Sequence, residues 1–419
     1  MLRILVDDSN LAHAESLGDE VATLAASLGQ VFRQVERDPV DMLLSDDLDA
    51  LLSDDQQLYC AALNVGIDPE RVLSLADGHR WLRTLTGHPL APPEPVHSEP
   101  LTALRERDPL IAGLLNDGAL CEWIDEARDA GGWFWSHSTG QGSYAGVVAA
   151  RPRAATLEIG LLVTARTASR WWSGDLLIQA VVDAMRSRGF SNARVALPHR
   201  DSQAVALLQN AGFIQVGAEL VKELQPGAIA PLEPLEYHQR YGPAAVDLSL
   251  APVFIAPITS TLHRRLFLQP DTQLRLPLGV EAPSEPVAPA LRKGLLSRSN
   301  IRQLPRGATL LLYRSADVRA ITAVGVVEET LRSSDPTLLA RWLGPRTPHS
   351  LRELSELARR RPLAIHFRQA LILREPISRS DLIVNEVLKR APSSITQVKG
   401  RRALRWLRER LGDESGLFT

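Results

Sequence analysis

The sequence predicts a multidomain protein of the α/β and α+β classes, and three observations lead there. Residues 160–213 run strand, turn, helix, strand, helix. Leu161, Leu162 and Val163 form the first apolar run; Leu176, Leu177, Ala180, Val181 and Met185 then recur at helical spacing; Arg194–Leu197 is a second strand; and a short helix ends at Gly212-Phe213. Proline punctuates the chain at 88–100 (HPLAPPEPVHSEP) and again before residue 260, where linkers are expected. Charge is segregated: residues 1–100 hold 6 basic and 18 acidic residues (6 − 18 = −12), while residues 291–419 hold 25 and 12 (25 − 12 = +13). The expected organisation is an acidic α/β domain at 1–87, a linker at 88–100, a mixed sheet with helices at 101–240, a second linker at 241–260 and a basic β-rich domain at 261–419.

Composition narrows the classes. The chain has 419 residues, 45% of them apolar, enough for two or three ordinary cores. No apolar run approaches the ~20 residues a membrane helix needs, and no membrane partner is expected. MLRILVDDSN reads as a strand followed at once by acids, not as a signal peptide. Cys60 and Cys121 lack the spacing of a metal knuckle or a disulfide framework, which fits a reduced bacterial cytoplasm.

In the first domain, residues 3–6 read as a strand and 10–28 as a helix. Residues 49–60 read as strand, acidic turn and helix; 72–75 as a strand; and 78–85 as a helix. Asp7 and Asp8 close the first strand, and Asp54 and Asp55 close another, at strand ends where open α/β sheets place ligands. ILVDDSN and ALLSDDQQLYCAALNVGI resemble the first and last signatures of PIN domains, which are metal-dependent RNases. The resemblance implies Mg²⁺ or Mn²⁺ held by Asp7 and by Asp54 or Asp55, since hard cations take clustered carboxylates. Glu36, Asp38, Asp41 and Asp46 are the candidate middle acids. The domain is shorter than that family's usual size. Each Asp taken alone also fits a helix cap or a turn.

In the central domain the turn reads Ser169-Arg170-Trp171-Trp172-Ser173-Gly174 and opens a helix. A helix N-terminus gathers unpaired N–H groups and the positive end of the dipole, which suit an anion. The stretch resembles the GCN5-related N-acetyltransferase (GNAT) fold, whose turn runs roughly Gln/Arg-x-x-Gly-x-Gly/Ala and cradles the pyrophosphate of coenzyme A. Gly174 keeps the last slot, Ser169 fills the leading one, and Trp172 stands in the middle glycine slot. Downstream, Asp201, Ala204, Leu208, Gly212 and Phe213 align with that family's second pattern, with Leu208 where a general-acid Tyr is common. The resemblance implies acetyl-CoA as cofactor, with Val163, Ser169, Arg170, Ser173, Gly174 and Asp175 around it. It also implies Glu158 as a base, with His199 facing the same cleft. A salt-bridged Glu158 and a surface His199 are the competing readings. Trp123, Trp133, Phe134 and Trp135 read as core, or as a stacking platform for bases.

In the last domain, strands are expected at 309–313, 321–328 and 363–373, and helices at 336–343 and 401–411. LPRGATLLLYRSADVRAITAVGVVEET (304–330) resembles the PUA/EVE/ASCH group, implying a small β-barrel that binds RNA. Arg292, Lys293, Arg298, Arg302, Arg306 and Arg314 fall within 23 residues, with Arg346 and Arg359–Arg361 beyond. Arginine forks hold phosphates, and RNA, tRNA among the candidates, is the partner expected for this domain. The same charge also fits docking onto the acidic end, or a solvated helix face at Arg401–Arg410.

The leading expectation is an RNA-associated GNAT-fold acyltransferase acting on RNA or on a bound protein amine. The runner-up is a non-catalytic RNA-binding or regulatory protein with degenerate PIN-like and GNAT-like domains, of the kind linked to toxin–antitoxin systems. Metal-dependent RNA cleavage by the first domain is the third. A GNAT sheet is also compatible with a homodimer.

Overall fold

The computed structural model describes residues 1–7, 15–32, 37–88, 96–138, 142–165, 170–195, 202–224, 232–242, 251–267 and 291–415. They form two compact units. One comprises Met1–Glu223 with Ala340–Pro345 and Ser350–Arg352; the other holds Leu224–Leu339, Arg346–His349 and Glu353–Thr419. Among the described residues no helix is long and apolar enough to cross a membrane.

The first unit begins with β1 (Leu2–Asp7), α1 (Glu15–Leu28), β2 (Gly29–Phe32), α2 (Pro39–Leu44), β3 (Ala50–Ser53), α3 (Gln56–Asn64), β4 (Val72–Leu73) and α4 (Leu75–Thr86). The strands make a parallel sheet in the order β2-β1-β3-β4. Ile4, Leu5 and Val6 on β1 and Leu51 and Leu52 on β3 are all buried, the unbroken apolar run of strands covered on both faces. Helix starts are capped by side-chain oxygens: Asp38 accepts from Val40 N, Asp55 from Gln57 N and Ser74 from Asp77 N.

The same unit continues with β5 (His97–Pro100), α5 (Pro109–Ala112), α6 (Gly118–Asp129), β6 (Trp133–Ser138), β7 (Tyr144–Arg153), β8 (Thr156–Thr164), α7 (Arg170–Ser187), β9 (Asn192–Val195), α8 (Ser202–Asn210), β10 (Ile214–Val216) and β11 (Glu219–Glu223). Their sheet runs β10-β11-β9-β8-β7-β6-β5 and is antiparallel except between β8 and β9. Its edge strand β5 comes from the stretch expected to be linker.

β8 is bulged. Ala149 pairs with Leu161 and Ala150 with Ile159, so Gly160 is skipped. The ring of Trp123 from α6 lies over that gap, only 2.0 Å from where a Cβ on residue 160 would sit.

The second unit holds α9 (Pro234–Tyr241), β12 (Val253–Ile258), α10 (Ser260–Leu266), β13 (Arg292–Ser297), β14 (Thr309–Arg314) and β15 (Ala320–Arg332). In the chain there follow α11 (Pro336–Leu343), α12 (Leu351–Ala358), β16 (Leu363–Ser378), α13 (Arg379–Val384), β17 (Thr396–Val398) and α14 (Arg401–Ser415). The sheet order is β13-β16-β15-β14-β12-β17. The barrel expected from residues 304–330 does not form: β13 and β17 are edges that do not pair, and among the described residues no sheet closes. The reason is β12, which arises in the stretch expected to be linker. It pairs parallel with β14 and antiparallel with β17, so the sheet grows outward at that side. Both faces are covered. Leu310 and Leu312 of β14 enter one core, while Leu311 and Tyr313 enter the other.

Replacing Gly160 by Ala puts a methyl into the Trp123 ring. We expect a loss of about 1–3 kcal/mol from overpacking, read as a lower urea midpoint by circular dichroism. An unchanged midpoint would place the indole elsewhere.

Candidate functional site

β8 pairs with β9 through Thr156–Ile159 and Asn192–Val195. On its other side β8 pairs with β7, with Val163 opposite Val147. α7, entered soon after, turns its first residues toward this region of the sheet through a buried bond: Ser173 Oγ lies 2.9 Å from Nδ1 of His137 on β6. Sequence reasoning singled out Ser173 but missed His137. The two are 36 residues apart and no local pattern joins them.

The remaining residues of the turn divide by role. Gly174 packs α7 on α8, since a Cβ there would meet Leu207 at 2.4 Å. Asp175 is buried. Trp172, in the middle glycine slot, is buried too. The Arg80 guanidinium of α4 lies 4.1 Å from its ring centroid, and its indole N–H has no hydrogen-bond partner among the described residues. Leu208 is core. Ser169 and His199 lie outside the described residues, as does the side chain of Arg170.

Glu158 sits on β8 inside an ion-pair network. Arg151 Nη2 donates to it at 2.9 Å and Trp123 Nε1 at 3.3 Å, while Arg153 lies 3.6 Å away. Burial pushes its pKa up, but the bonds from Arg151 and Trp123 and the two positive charges outweigh that and hold it below the usual value. A carboxylate stabilised this way is a weak proton acceptor. The aromatic group is packed rather than displayed. Phe134 meets Tyr144 edge-on at 6.1 Å, and Trp133 lies under Arg188 at 3.9 Å.

The N-terminal acids are occupied with the backbone and with a serine. Asp7 accepts from Ser53 Oγ at 2.7 Å, Asp54 from Leu75 N at 3.2 Å, and Asp55 from Gln57 N at 2.7 Å. Glu36 is outside the described residues. Among the described residues no three His, Cys, Asp or Glu side chains gather to hold a metal. The described acids of the expected Mg²⁺ or Mn²⁺ site thus form no such group, and Asp8, like Glu36, lies outside the described residues.

The six basic residues of the C-terminal segment split. Arg298, Arg302 and Arg306 are exposed. Lys293 is buried, its Nζ 5.3 Å from the Phe267 ring centroid. Arg314 pairs with Asp317. Arg292 Nε donates to both oxygens of Glu328 at 3.2 and 3.1 Å. Arg368 joins that carboxylate at 3.3 Å and Arg346 at 3.6 Å, while Arg346 also reaches His366 at 3.0 Å. Burial alone would raise the pKa of Glu328, but the three arginines bring it down to about 2. Of the residues read as phosphate ligands, then, Lys293 is buried, while Arg292 and Arg314 are half-buried and paired with Glu328 and Asp317.

No family model matches the chain, and no curated protein does. Among solved structures, ASCH from Zymomonas mobilis is similar over 37% of this chain and 93% of its own, at 12% identity and a TM-score of 0.28. An IAA acetyltransferase from Bacillus cereus covers 31% of this chain and 98% of its own, at 19% identity and a TM-score of 0.24. A Bacillus subtilis acetyltransferase in complex with CoA covers 31% and 99%, at 16% identity and a TM-score of 0.24.

A carboxylate whose folded pKa is lowered stabilises the fold above its unfolded pKa and loses that contribution as pH falls. For Glu328 the window runs from about 4.5 down to about 2 and carries roughly 3 kcal/mol. Urea midpoints measured across that window should fall in the wild type. Glu328→Gln should be destabilised by about 3–5 kcal/mol at neutral pH, because three arginines lose a shared partner, and should lose this acid component. Parallel acid dependence in both proteins would show the network to be energetically silent.

Proposed function

We propose that the protein is an RNA-associated acyltransferase-fold protein, in which the central sheet receives an acyl-CoA and the basic C-terminal unit holds RNA, tRNA among the candidates. The observation that carries the first half is the succession of β8 and α7, with α7 fixed against β6 by the bond between Ser173 and His137. The N-terminal end of a helix gathers N–H groups that suit a diphosphate. On this reading the diphosphate of CoA lies at that end of α7, with the thioester carbonyl toward Val163. Bound there, the thioester supplies an activated acyl group. An acceptor amine attacks its carbonyl carbon, the C–S bond breaks, and the thiol of CoA leaves with the proton the amine gives up. No covalent intermediate with the protein is required. Glu158, held by Arg151 and Trp123, positions the bulged part of β8 rather than taking the proton.

A second reading is favoured by Trp172: a GNAT-like unit that serves as a scaffold without binding acyl-CoA. A buried indole replaces the glycine that would let a diphosphate approach the backbone.

Calorimetry separates the two. On the first reading acetyl-CoA binds the wild type with a Kd well under ~1 mM, a binding free energy beyond about −4 kcal/mol. No heat at that concentration overturns it. Binding gained only in Trp172→Gly would identify Trp172 as the plug and establish the scaffold reading.

A further inference from the structure

We infer that one end of the C-terminal sheet is an RNA phosphate clamp made by Arg298, Arg302, Arg306, Arg359, Arg360 and Arg361. The inference rests on the RNA half of the reading above and adds where that contact is made and by which residues.

The register brings these arginines together. β13 ends at Ser297, which pairs with Leu363, the first residue of β16; Leu363 also pairs with Arg332, the last residue of β15. β14 begins at Thr309 opposite Val326 of β15, and Gly307 N donates to Val327 O at 2.8 Å. The ends of β13 and β15 and the start of β16 thus lie at one end of the sheet, while β14 starts level with Val326, further along β15, so the segment between β13 and β14 runs back from that end. The segment 297–307 leads away from β13 and into β14, and the segment 358–362 leads into β16. Together they carry six arginines and no acidic residue.

Arg332 ties the two segments to each other. Its Nη1 donates to Arg361 O at 2.9 Å, and its Nη2 to Ile301 O at 2.8 Å and to Ser299 O. Ser299 Oγ accepts from Ile301 N at 3.2 Å, and the second segment turns through Arg361 N to Ala358 O at 2.9 Å. The backbone that displays the arginines is therefore held before any ligand arrives, which lowers the ordering cost of binding.

All six side chains are exposed, and among the described residues none has a carboxylate partner. The other basic stretch differs: on α14, Arg402 pairs with Glu386 at 3.5 Å and Arg410 with Glu375 at 2.8 Å. Unpaired guanidinium groups on a rigid frame suit a chain of phosphates, which they hold through forked hydrogen bonds. A lipid surface fits less well, because neither segment exposes a large apolar side chain to enter the acyl boundary.

The full-length chain is titrated into a labelled single-stranded RNA of about 20 nucleotides by fluorescence anisotropy, from about 50 to 300 mM salt. Two variants remove the clamp by halves: Arg298→Ala/Arg302→Ala/Arg306→Ala and Arg359→Ala/Arg360→Ala/Arg361→Asn. Asn is chosen at 361 because φ there is 46°. A control, Lys399→Ala/Arg401→Ala/Arg405→Ala, removes equal charge from exposed positions on α14 and just before it. Each clamp variant should weaken binding at least about tenfold at the lowest salt and flatten the log–log salt slope by about two, near 0.7 per lost contact. The control should change little. If the wild type binds no RNA, the RNA reading itself fails. If it binds but the control weakens it as much as the clamp variants do, net charge explains the affinity and this inference is overturned while the reading survives. Clamp variants that keep RNA but lose vesicles containing phosphatidylserine would assign the face to lipid, and the inference falls.

Discussion

The Trp123 indole over Gly160 is the contact on which the central sheet depends. The ring needs a residue with no Cβ beneath it, and the bulge that supplies one shifts the phase of β8 relative to β7. Arg151 completes the arrangement: it bonds to Glu158 and lies 5.6 Å from the Trp123 ring centroid. One aromatic–glycine contact, buttressed by one ion pair, thus fixes the bulge of β8 and its phase against β7.

The C-terminal sheet solves a different problem. Covering both faces leaves no solvated side on which β13, β15 and β16 can place polar residues, yet their sequences carry Arg292, Lys293, Glu328, His366 and Arg368. Charges at such depth persist only when paired. Glu328 on β15 is shared by three arginines, and β13, β16 and the segment before α12 converge on it. Basic residues that sequence position alone groups together consequently have two fates, decided by whether they fall inside a strand or in the segment after it.

Much of the architecture was legible in the chain, and what escaped did so for identifiable reasons. β1, β3 and β14 announce themselves as short apolar runs because buried strands of a covered sheet have nothing polar to alternate with. α14 shows its apolar stripe at Ala403, Leu407 and Leu411. Val253–Ile258 was lost among prolines, since pairing with β14 and β17 is a long-range event with no local signature. The acids at Asp54 and Asp55 looked alike whether bound for a cation or for a helix cap; only the position of the next helix start separates these. Lys293 looked like a surface residue because side-chain charge is readable and burial is not. The bond between His137 and Ser173 joins residues on different elements, and no spacing rule anticipates it.

The position of β12 in its sheet bears on how the chain is made. Its two neighbours come from very different places: Val253 pairs with Thr309 on one side and with Val398 on the other. Contacts of such sequence separation form late, because loop closure must precede the stabilisation it brings. On the ribosome β12 can dock against β14 once that strand emerges, but its second edge stays unsatisfied until β17 emerges as well. A nascent chain stalled before residue 396 therefore presents a bare apolar strand edge of the kind that chaperones shield and that pairs with other chains when left unprotected.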